Sequence, residues 1–230
     1  MKRFYKNVSV GPAENGFTVL LDGGPVRTPG RNGLIVPTEK MAEAIAQEWE
    51  AQGEEVIATT MPLLRLANTV VDGVAVNRTD VVDTILRCGE NDLLCYRAHQ
   101  PPELVARQRK GWDPVLDWAA QRHGMYMLVA EGLIHVDQPP EALSSLRQAL
   151  DEFDPFTLGA LHVIASITGS PVLALAVAGG FVSGTDAFAL SRIDETYQAE
   201  KWGEDAEAAR RTGNLGRELE KAVEFMSLAR

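Results

Sequence analysis

The stretch FTLGALHVIASI at residues 156–167 is apolar nearly all round when it is drawn as a helix, and VLALAVA at residues 172–178 repeats this pattern. A helix that is apolar on every side belongs in the interior of a protein. Asp154-Pro155 precedes the first stretch and Ser170-Pro171 precedes the second, and a capping residue followed by proline is a typical start for a helix. We therefore predict two buried helices at the centre of a helical bundle.

Helical signals continue on both sides of this pair, from residue 61 to the C-terminus. Asp113-Pro114 has the form of another cap and helix start, so we predict a bend between two helices around Trp112, Leu116 and Trp118. Ser183 is predicted to cap a helix that continues into the residues after 190. The remaining predicted helices cover residues 63–76, 78–89, 101–110, a segment opening at 139–141, and 205–229.

The first 60 residues follow a different pattern. Apolar residues alternate over 4–10 and 17–21, and turn residues separate these from the short apolar runs 26–28 and 34–36, which predicts a small antiparallel meander. Thr38 is placed to cap a helix at about 38–52, and residues 54–60 are read as one more strand. The predicted fold class is α+β, with a small N-terminal antiparallel β domain at 1–60 and a larger α-helical bundle domain at 61–230.

The charge balance restricts the partners of the chain. Its 230 residues have a net charge of −10, and residues 1–40 carry six Lys/Arg against three Asp/Glu, which leaves 16 against 29 for the rest. No basic cluster is visible, so nucleic acid is not an expected partner. The acidic second part favours a partner with a basic or neutral surface.

Cysteine usage and hydropathy indicate the compartment. Cys88 and Cys95 are seven residues apart, too far to bridge on one helix, which favours a reducing environment. The N-terminus has neither an apolar signal core nor a transit-type composition. The longest apolar run, residues 171–182, is shorter than the roughly 20 residues that a membrane-spanning helix needs. We expect a cytoplasmic protein without membrane insertion.

The segment LSRIDETYQAEKWGEDAEA at residues 190–208 is the candidate working surface. Leu190, Ile193 and Tyr197 follow helical spacing and would face a core, whereas Glu195 lies on a second face, together with Gln198 and Trp202. A helix face that only meets solvent has no need of an indole. Six acids and one lysine between residues 194 and 207 make this segment an acidic patch.

The sequence contains few groups arranged for catalysis. Its four histidines lack metal-ligand spacing, and no phosphate-binding loop is present, so neither a metal nor a cofactor is predicted. Cys95 is interpreted as a small buried hydrophobe. The pairs Asp194/Glu195 and Glu204/Asp205 are interpreted as solvated rather than catalytic. Two alternatives remain open: a hydrolase or transferase that uses paired carboxylates in a cleft between the domains, and a structural adaptor for another oligomer.

Seven groups of residues, in order along the chain, resemble the motifs of one known family, the ATP synthase α-subunit assembly chaperones or ATP-twelve family. They are residues 3–10 (RFYKNVSV), 21–23 with 28–29 (LDG and TP), 48–52 (EWEAQ), 61–63 (MPL), 92–98 (DLLCYRA), 108–114 (QRKGWDP) and 194–203 (DETYQAEKWG). The resemblance runs from the first residues to about residue 208.

This resemblance implies a chaperone rather than an enzyme, without catalytic residues or a cofactor. It implies binding of the unassembled α subunit of the ATP synthase catalytic sector, which is protected from aggregation until the β subunit replaces the chaperone. Because no transit segment precedes the first motif, we expect a bacterial member, and we expect it to be monomeric.

The predicted partner-binding residues are Asp194, Glu195, Gln198 and Trp202. In the alternative interpretation, Trp202 packs against the bundle. Asp194 or Glu195 then forms a buried salt bridge with an arginine such as Arg97 or Arg192.

Overall fold

The computed structural model of the chain describes residues 1–132, 135–203 and 205–230. A three-stranded antiparallel sheet near the N-terminus is followed by a predominantly helical chain. The predicted α+β class is therefore confirmed.

The sheet consists of β1 (Val8–Ala13), β2 (Gly16–Leu21) and β3 (Gly24–Pro25), in that order. The predicted strands at 26–28 and 34–36 are reduced to two isolated bridges, Arg27 with Gly33 and Phe17 with Val36. The first strand begins at Val8 and not at residue 4, because the carboxylate of Asp22 accepts hydrogen bonds from the backbone N–H groups of Lys6 and Asn7.

Ten α-helices lie in the described residues. They are α1 (Glu39–Glu50), α2 (Pro62–Thr69), α3 (Arg78–Gly89), α4 (Pro102–His123), α5 (Pro140–Asp151), α6 (Pro155–Thr168), α7 (Pro171–Ala178), α8 (Gly184–Ser191), α9 (Ile193–Trp202) and α10 (Ala206–Leu228). A π-helical turn, Val70–Val74, extends α2, and 3-10 turns cover Ala58–Thr60 and Leu93–Cys95. Two further strands, β4 (Tyr96–Arg97) and β5 (Ala130–Glu131), form a short parallel pair.

Helix α1 follows the prediction, since the side chain of Thr38 accepts a hydrogen bond from the Met41 N–H and Trp49 lies on the buried face. The predicted strand at 54–60 is reduced to an isolated antiparallel bridge between Glu55 and Lys2, and its second half forms the 3-10 turn Ala58–Thr60. The side chain of Gln52 accepts from the backbone N–H of Ile57 at 2.8 Å, and this replaces the ladder bond that a strand would need. The carboxylate of Glu48 caps α2 by accepting from the N–H groups of residues 63 and 64, each at 2.8 Å.

Helices α6 and α7 form where the two apolar stretches predict them. The side chains of Asp154 and Ser170 cap them, as predicted, and every residue of α7 is buried. Asp92, which is fully buried, accepts hydrogen bonds from the Ser170 hydroxyl at 2.9 Å and from the Val172 N–H at 3.1 Å, so it fixes the start of α7. Among the described residues no helix combines the length and the apolar character needed to cross a bilayer.

The predicted boundary between two helices at Pro114 is wrong, because α4 runs uninterrupted from Pro102 to His123. The carboxylate of Asp113 is paired with Arg97 at 2.7 Å and is not used as a helix cap. Burial of Trp112 and Val115 on both sides of the proline offsets the one helical hydrogen bond that its missing N–H costs.

The single helix predicted after Ser183 is also corrected. It consists of two helices, α8 and α9, with a break at Arg192, where φ is −114° and ψ is 17°. The guanidinium of Arg192 donates to the carbonyl of Ile167 in the last turn of α6, at 2.6 Å. This long-range bond at a helix C-terminus competes with continuous helical geometry.

The contacts divide the chain into two compact units. One contains Met1–Arg78, Asp154–Ala160 and Lys221–Arg230, and the other contains Thr79–Phe153 and Leu161–Glu220. The first is built around residues such as Leu34, Met41, Ile45 and Phe225, and the second around Leu94, Trp112, Met125, Leu146 and Leu173. The predicted domain boundary at residue 60 stays a prediction.

Candidate partner-binding surface on helix α9

Helix α4 holds one face of α9 through charged side chains. Glu103 pairs with Lys201 at 3.0 Å, and Arg107 pairs with Glu200 at 2.8 Å. The ring of Tyr197, the buried residue of α9, lies 5.2 Å from both the Lys201 ammonium and the Arg107 guanidinium. Hydrogen bonds from Lys201 and Arg107 lower the pKa of the Glu103 carboxyl. These contacts fix which side of α9 faces the protein.

A buried amide reinforces this arrangement. Gln108 is fully buried; its Nε2 donates to Asp194 Oδ1 at 2.7 Å and its Oε1 accepts from the Ala98 N–H at 2.8 Å. The structure therefore places Asp194 towards α4, where it helps to position α9. At the preceding helix end, Trp112 Nε1 donates to the carbonyl of Leu190 at 2.8 Å.

The opposite face of α9 presents Glu195, Gln198 and Trp202 to solvent. Trp202 is 79% exposed, more than any other large apolar side chain of the described residues. Glu195 pairs with Arg192 at 2.9 Å, but its side chain remains 58% exposed, so this is a surface ion pair. Arg97, the other arginine named in the alternative interpretation, forms an ion pair with Asp113. The predicted strip is thus a contiguous exposed face, and Asp194 lies outside it.

The exposed face of α9 borders a shallow groove against the first turns of α10. Trp202 and Ala199 line one side of this groove, and Ala208 and Thr212 line the other. Asp205 caps α10 by accepting from the Ala208 N–H at 2.8 Å. The other member of the predicted pair, Glu204, lies outside the described residues.

Burial raises the pKa values of two thiols and two carboxyl groups, and these four groups have structural roles. Burial raises the pKa of the Cys88 thiol to about 11 and also raises that of Cys95, which is fully buried as predicted. Burial raises the pKa of Asp92 to about 6 and raises that of Glu48, but both carboxylates are engaged in capping helices. Within the described part of the chain, no group of three or more His, Cys, Asp or Glu side chains is arranged to hold a metal ion. The arrangement on α9 is suited to binding a macromolecule.

Sequence reasoning missed the role of Gln108. It is 86 residues from Asp194 along the chain, and no local pattern connects the two. The sequence signal for this role is the position of the Gln108 amide four residues before Trp112, which places both on one face of a helix.

The fold is that of an α+β protein with an exposed face on α9 as its candidate binding surface, and comparison with known proteins places the chain in a family. The family model described as ATP12 chaperone protein matches residues 2–120. The mitochondrial protein atp12 of Schizosaccharomyces pombe is 23% identical over 219 residues, which is 89% of this chain and 75% of the relative.

Two solved structures are similar over the whole chain. Atp12 from Paracoccus denitrificans matches with a TM-score of 0.96 and 41% identity, covering 100% of this chain and 98% of the other. The Atu1473 protein of Agrobacterium tumefaciens matches with a TM-score of 0.95 and 44% identity, covering 100% and 86%. The chain belongs to the ATP12 chaperone family, whose members are assembly chaperones of ATP synthase and not enzymes. The hydrolase or transferase alternative is therefore set aside.

Proposed function

We propose that this protein binds the unassembled α subunit of the catalytic sector of F-type ATP synthase, prevents its aggregation and releases it when the β subunit takes its place. It acts as a monomer in the cytoplasm. Family membership supports an assembly role, and the similarity to Atp12 of a bacterium over the whole chain supports a bacterial setting. An unassembled subunit exposes an apolar interface, and a chaperone that covers this interface prevents wrong contacts.

The exposure of Trp202 is the main support for the proposed binding surface. Its indole is 79% exposed at the end of a helix whose opposite face is already held by α4. Tryptophan is enriched among the residues that dominate binding energy in protein interfaces. We infer that Trp202 enters a pocket of the α subunit and that Glu195 and Gln198 make polar contacts beside it.

Asp194 has a different part in this proposal. It supports the surface from behind, through Gln108, and contributes to binding by keeping α9 in place. The ion pairs that hold α9 are exposed, so water and salt screen them and each is individually weak. A small apolar contact surrounded by charge suits an interaction that must be specific and also reversible.

The substitutions Trp202→Ala and Glu195→Ala test this surface. We expect Trp202→Ala to weaken α-subunit binding by about 2 kcal/mol, because an interface anchor is lost, and to change the free energy of unfolding by less than about 0.5 kcal/mol. Glu195→Ala should weaken binding less. The measurements are titration with isolated α subunit, light scattering during its aggregation, and denaturant unfolding of each variant.

Tyr126→Ala is the matched control, since Tyr126 is an aromatic residue of similar exposure, 71%, outside α9. It should leave binding unchanged. If the loss of α-subunit binding in Trp202→Ala is accompanied by a matching loss of stability, the indole has a folding role and the proposed surface is wrong.

Selectivity is tested by capture from an extract of cells that make ATP synthase. The immobilised protein should retain the α subunit, and the Trp202→Ala variant should retain much less. Equal retention of α and β subunits, or of neither, would contradict the proposed function.

A further inference from the structure

A second apolar surface lies on the same compact unit, between α4 and α8. Helix α7 packs against both of these helices, and a groove remains between them. Its apolar lining includes Val115, Phe181, Val182, Ala189 and Leu190. We call it the α4–α8 groove.

One wall of the groove presents the exposed aromatic ring of Phe181. Phe181 is 44% exposed although it is large and apolar, and its ring stacks on Trp118 with centroids 5.4 Å apart and an angle of 17° between the planes. The stacking holds Phe181 in one orientation. A rigid aromatic surface of this kind loses little conformational freedom when it binds a partner.

Two close contacts define the relative direction of α4 and α8. A Cβ added to Gly111 of α4 would lie 2.8 Å from Leu190 at the end of α8, whereas one added to Gly179 would lie 2.7 Å from Trp118. Residue 111 of α4 is therefore beside the end of α8, and residue 118 is near the chain that leads into α8. The two helices run in opposite directions. The α4 residues that line the groove lie between 110 and 115, which is about 8 Å along the helix axis.

Opposite charges mark the two ends. Lys110 lies at the Leu190 end, and Asp186, in the first turn of α8, lies at the Phe181 end. In the part of the chain that the structure describes, neither side chain forms an ion pair; Asp186 interacts with the Ser183 hydroxyl.

We propose that the α4–α8 groove receives one amphipathic helix of the client subunit. Its apolar face lies on Phe181, Val182 and Ala189, its N-terminus is near Asp186 and its C-terminus is near Lys110. This inference rests on the proposed function and adds a second contact surface to it.

Charge complementarity gives the occupant its direction. The N-terminus of a helix carries a partial positive charge and its C-terminus a partial negative charge, so the carboxylate of Asp186 and the ammonium of Lys110 each face a complementary end. The reverse orientation would place like charges together at both ends.

The shape of the groove favours a helix over an extended segment. Two antiparallel helices that rest on a third helix leave a depression into which the ridge of a further helix packs, at interaxial distances of 8–10 Å in general. Two turns of an incoming helix provide anchor residues at positions i, i+3 or i+4, and i+7. The α4 side of the groove spans about one and a half helical turns, which is long enough for two successive anchors of this series.

Ala189→Glu tests the groove. Ala189 is exposed on α8, so the larger charged side chain can be accommodated in the free protein, but it would meet the apolar face of the client helix. We expect roughly a 30-fold loss of affinity for isolated α subunit, because a charge is then buried without a partner. Thr185→Glu adds the same charge to an exposed position of the same helix outside the groove lining and should change affinity less than about twofold.

The result also separates this inference from the proposed function. If the wild-type protein binds the α subunit and Ala189→Glu binds it equally well, the groove inference is overturned and the proposed function stands. If the wild-type protein does not bind the α subunit, both are overturned.

A photo-crosslinking side chain at Val182 gives a second test that does not depend on the folding of Ala189→Glu. Mass spectrometry of the crosslinked α subunit should identify a peptide with apolar residues at helical spacing. A crosslinked peptide with strand-like alternation, or crosslinking no greater than that from the exposed position 185, would overturn the inference.

Discussion

Helices α7 and α9 have similar lengths but are held in place by different forces. All eight residues of α7 are buried, whereas Tyr197 is the buried residue among the ten of α9. Packing and the buried carboxylate of Asp92 hold α7. Side-chain ion pairs, one amide and the cations around Tyr197 hold α9. The comparison shows that α7 serves the core, while α9 is held at the surface with one face left free.

The difference predicts a graded response to substitution. Apolar burial contributes roughly 1.5–3 kcal/mol for a fully buried aliphatic side chain, whereas exposed ion pairs contribute at most about 1 kcal/mol each. Changes at α7 should therefore alter stability most, and changes on the free face of α9 should alter binding with little effect on stability.

The largest effect is expected for Leu173→Ala in the middle of α7. Leu173 is fully buried, so the substitution leaves a cavity and should lower the free energy of unfolding by about 2–5 kcal/mol. Leu128→Ala, at a leucine that is 46% exposed, is the control and should cost less than about 1 kcal/mol. Urea unfolding followed by circular dichroism measures both. Equal losses would mean that α7 is not a packing element.

Asp92→Asn should reveal a pH-dependent contribution at the start of α7. Burial raises the pKa of Asp92 to about 6, while hydrogen bonds from Val172, Leu94 and Ser170 act in the opposite direction. The folded state then holds its proton more tightly than the unfolded chain, so this group's contribution to stability falls as pH rises from about 4 to 6 and is constant above that range. The expected change is on the order of 3 kcal/mol.

The difference in unfolding free energy between the wild-type protein and Asp92→Asn, measured at several pH values, isolates this effect. The subtraction is needed because Asp72, whose pKa is lowered by hydrogen bonds from Thr28 and Asn32, loses its stabilising contribution as pH falls. A difference that stays constant from pH 4 to 7 would contradict the prediction.

Gln108→Leu should have the smallest effect on stability of these three, about 1–2 kcal/mol, because it removes hydrogen bonds to Asp194 and Ala98 without leaving a cavity. It should also weaken α-subunit binding several-fold by loosening α9. Gln121→Leu, at an exposed position of the same helix, is the control. Stability and binding are measured as above. Full α-subunit binding by Gln108→Leu would show that α9 does not need this support.

The elements that can be predicted from sequence are those fixed by local signals, and the elements that cannot are fixed by long-range contacts. Helices α6 and α7 are predictable because their apolar character and their caps, Asp154 and Ser170, are local. The wrongly predicted helix boundary at Pro114 and the missed break at Arg192 both involve long-range contacts. Asp113 is paired with Arg97, and Arg192 donates to the carbonyl of Ile167. Local patterns contain no information about such partners.

The candidate site shows the same division. Glu195, Gln198 and Trp202 are recognisable as one face because helical spacing alone brings them together. The inward position of Asp194 is not predictable, since its partner Gln108 lies on another helix. The α4–α8 groove escaped prediction for a similar reason, because its walls come from distant parts of the chain and its residues appear as ordinary core positions in the sequence.

The two native cysteines, one buried and one half-buried, have a practical consequence for measurements on this chaperone. The raised pKa values of Cys88 and Cys95 keep both thiols protonated near neutral pH, and thiol reagents attack the thiolate. A new cysteine on the free face of α9 would therefore be the fast-reacting thiol of the folded chain without removal of the native pair. A fluorophore attached there would report arrival and departure of the client in real time.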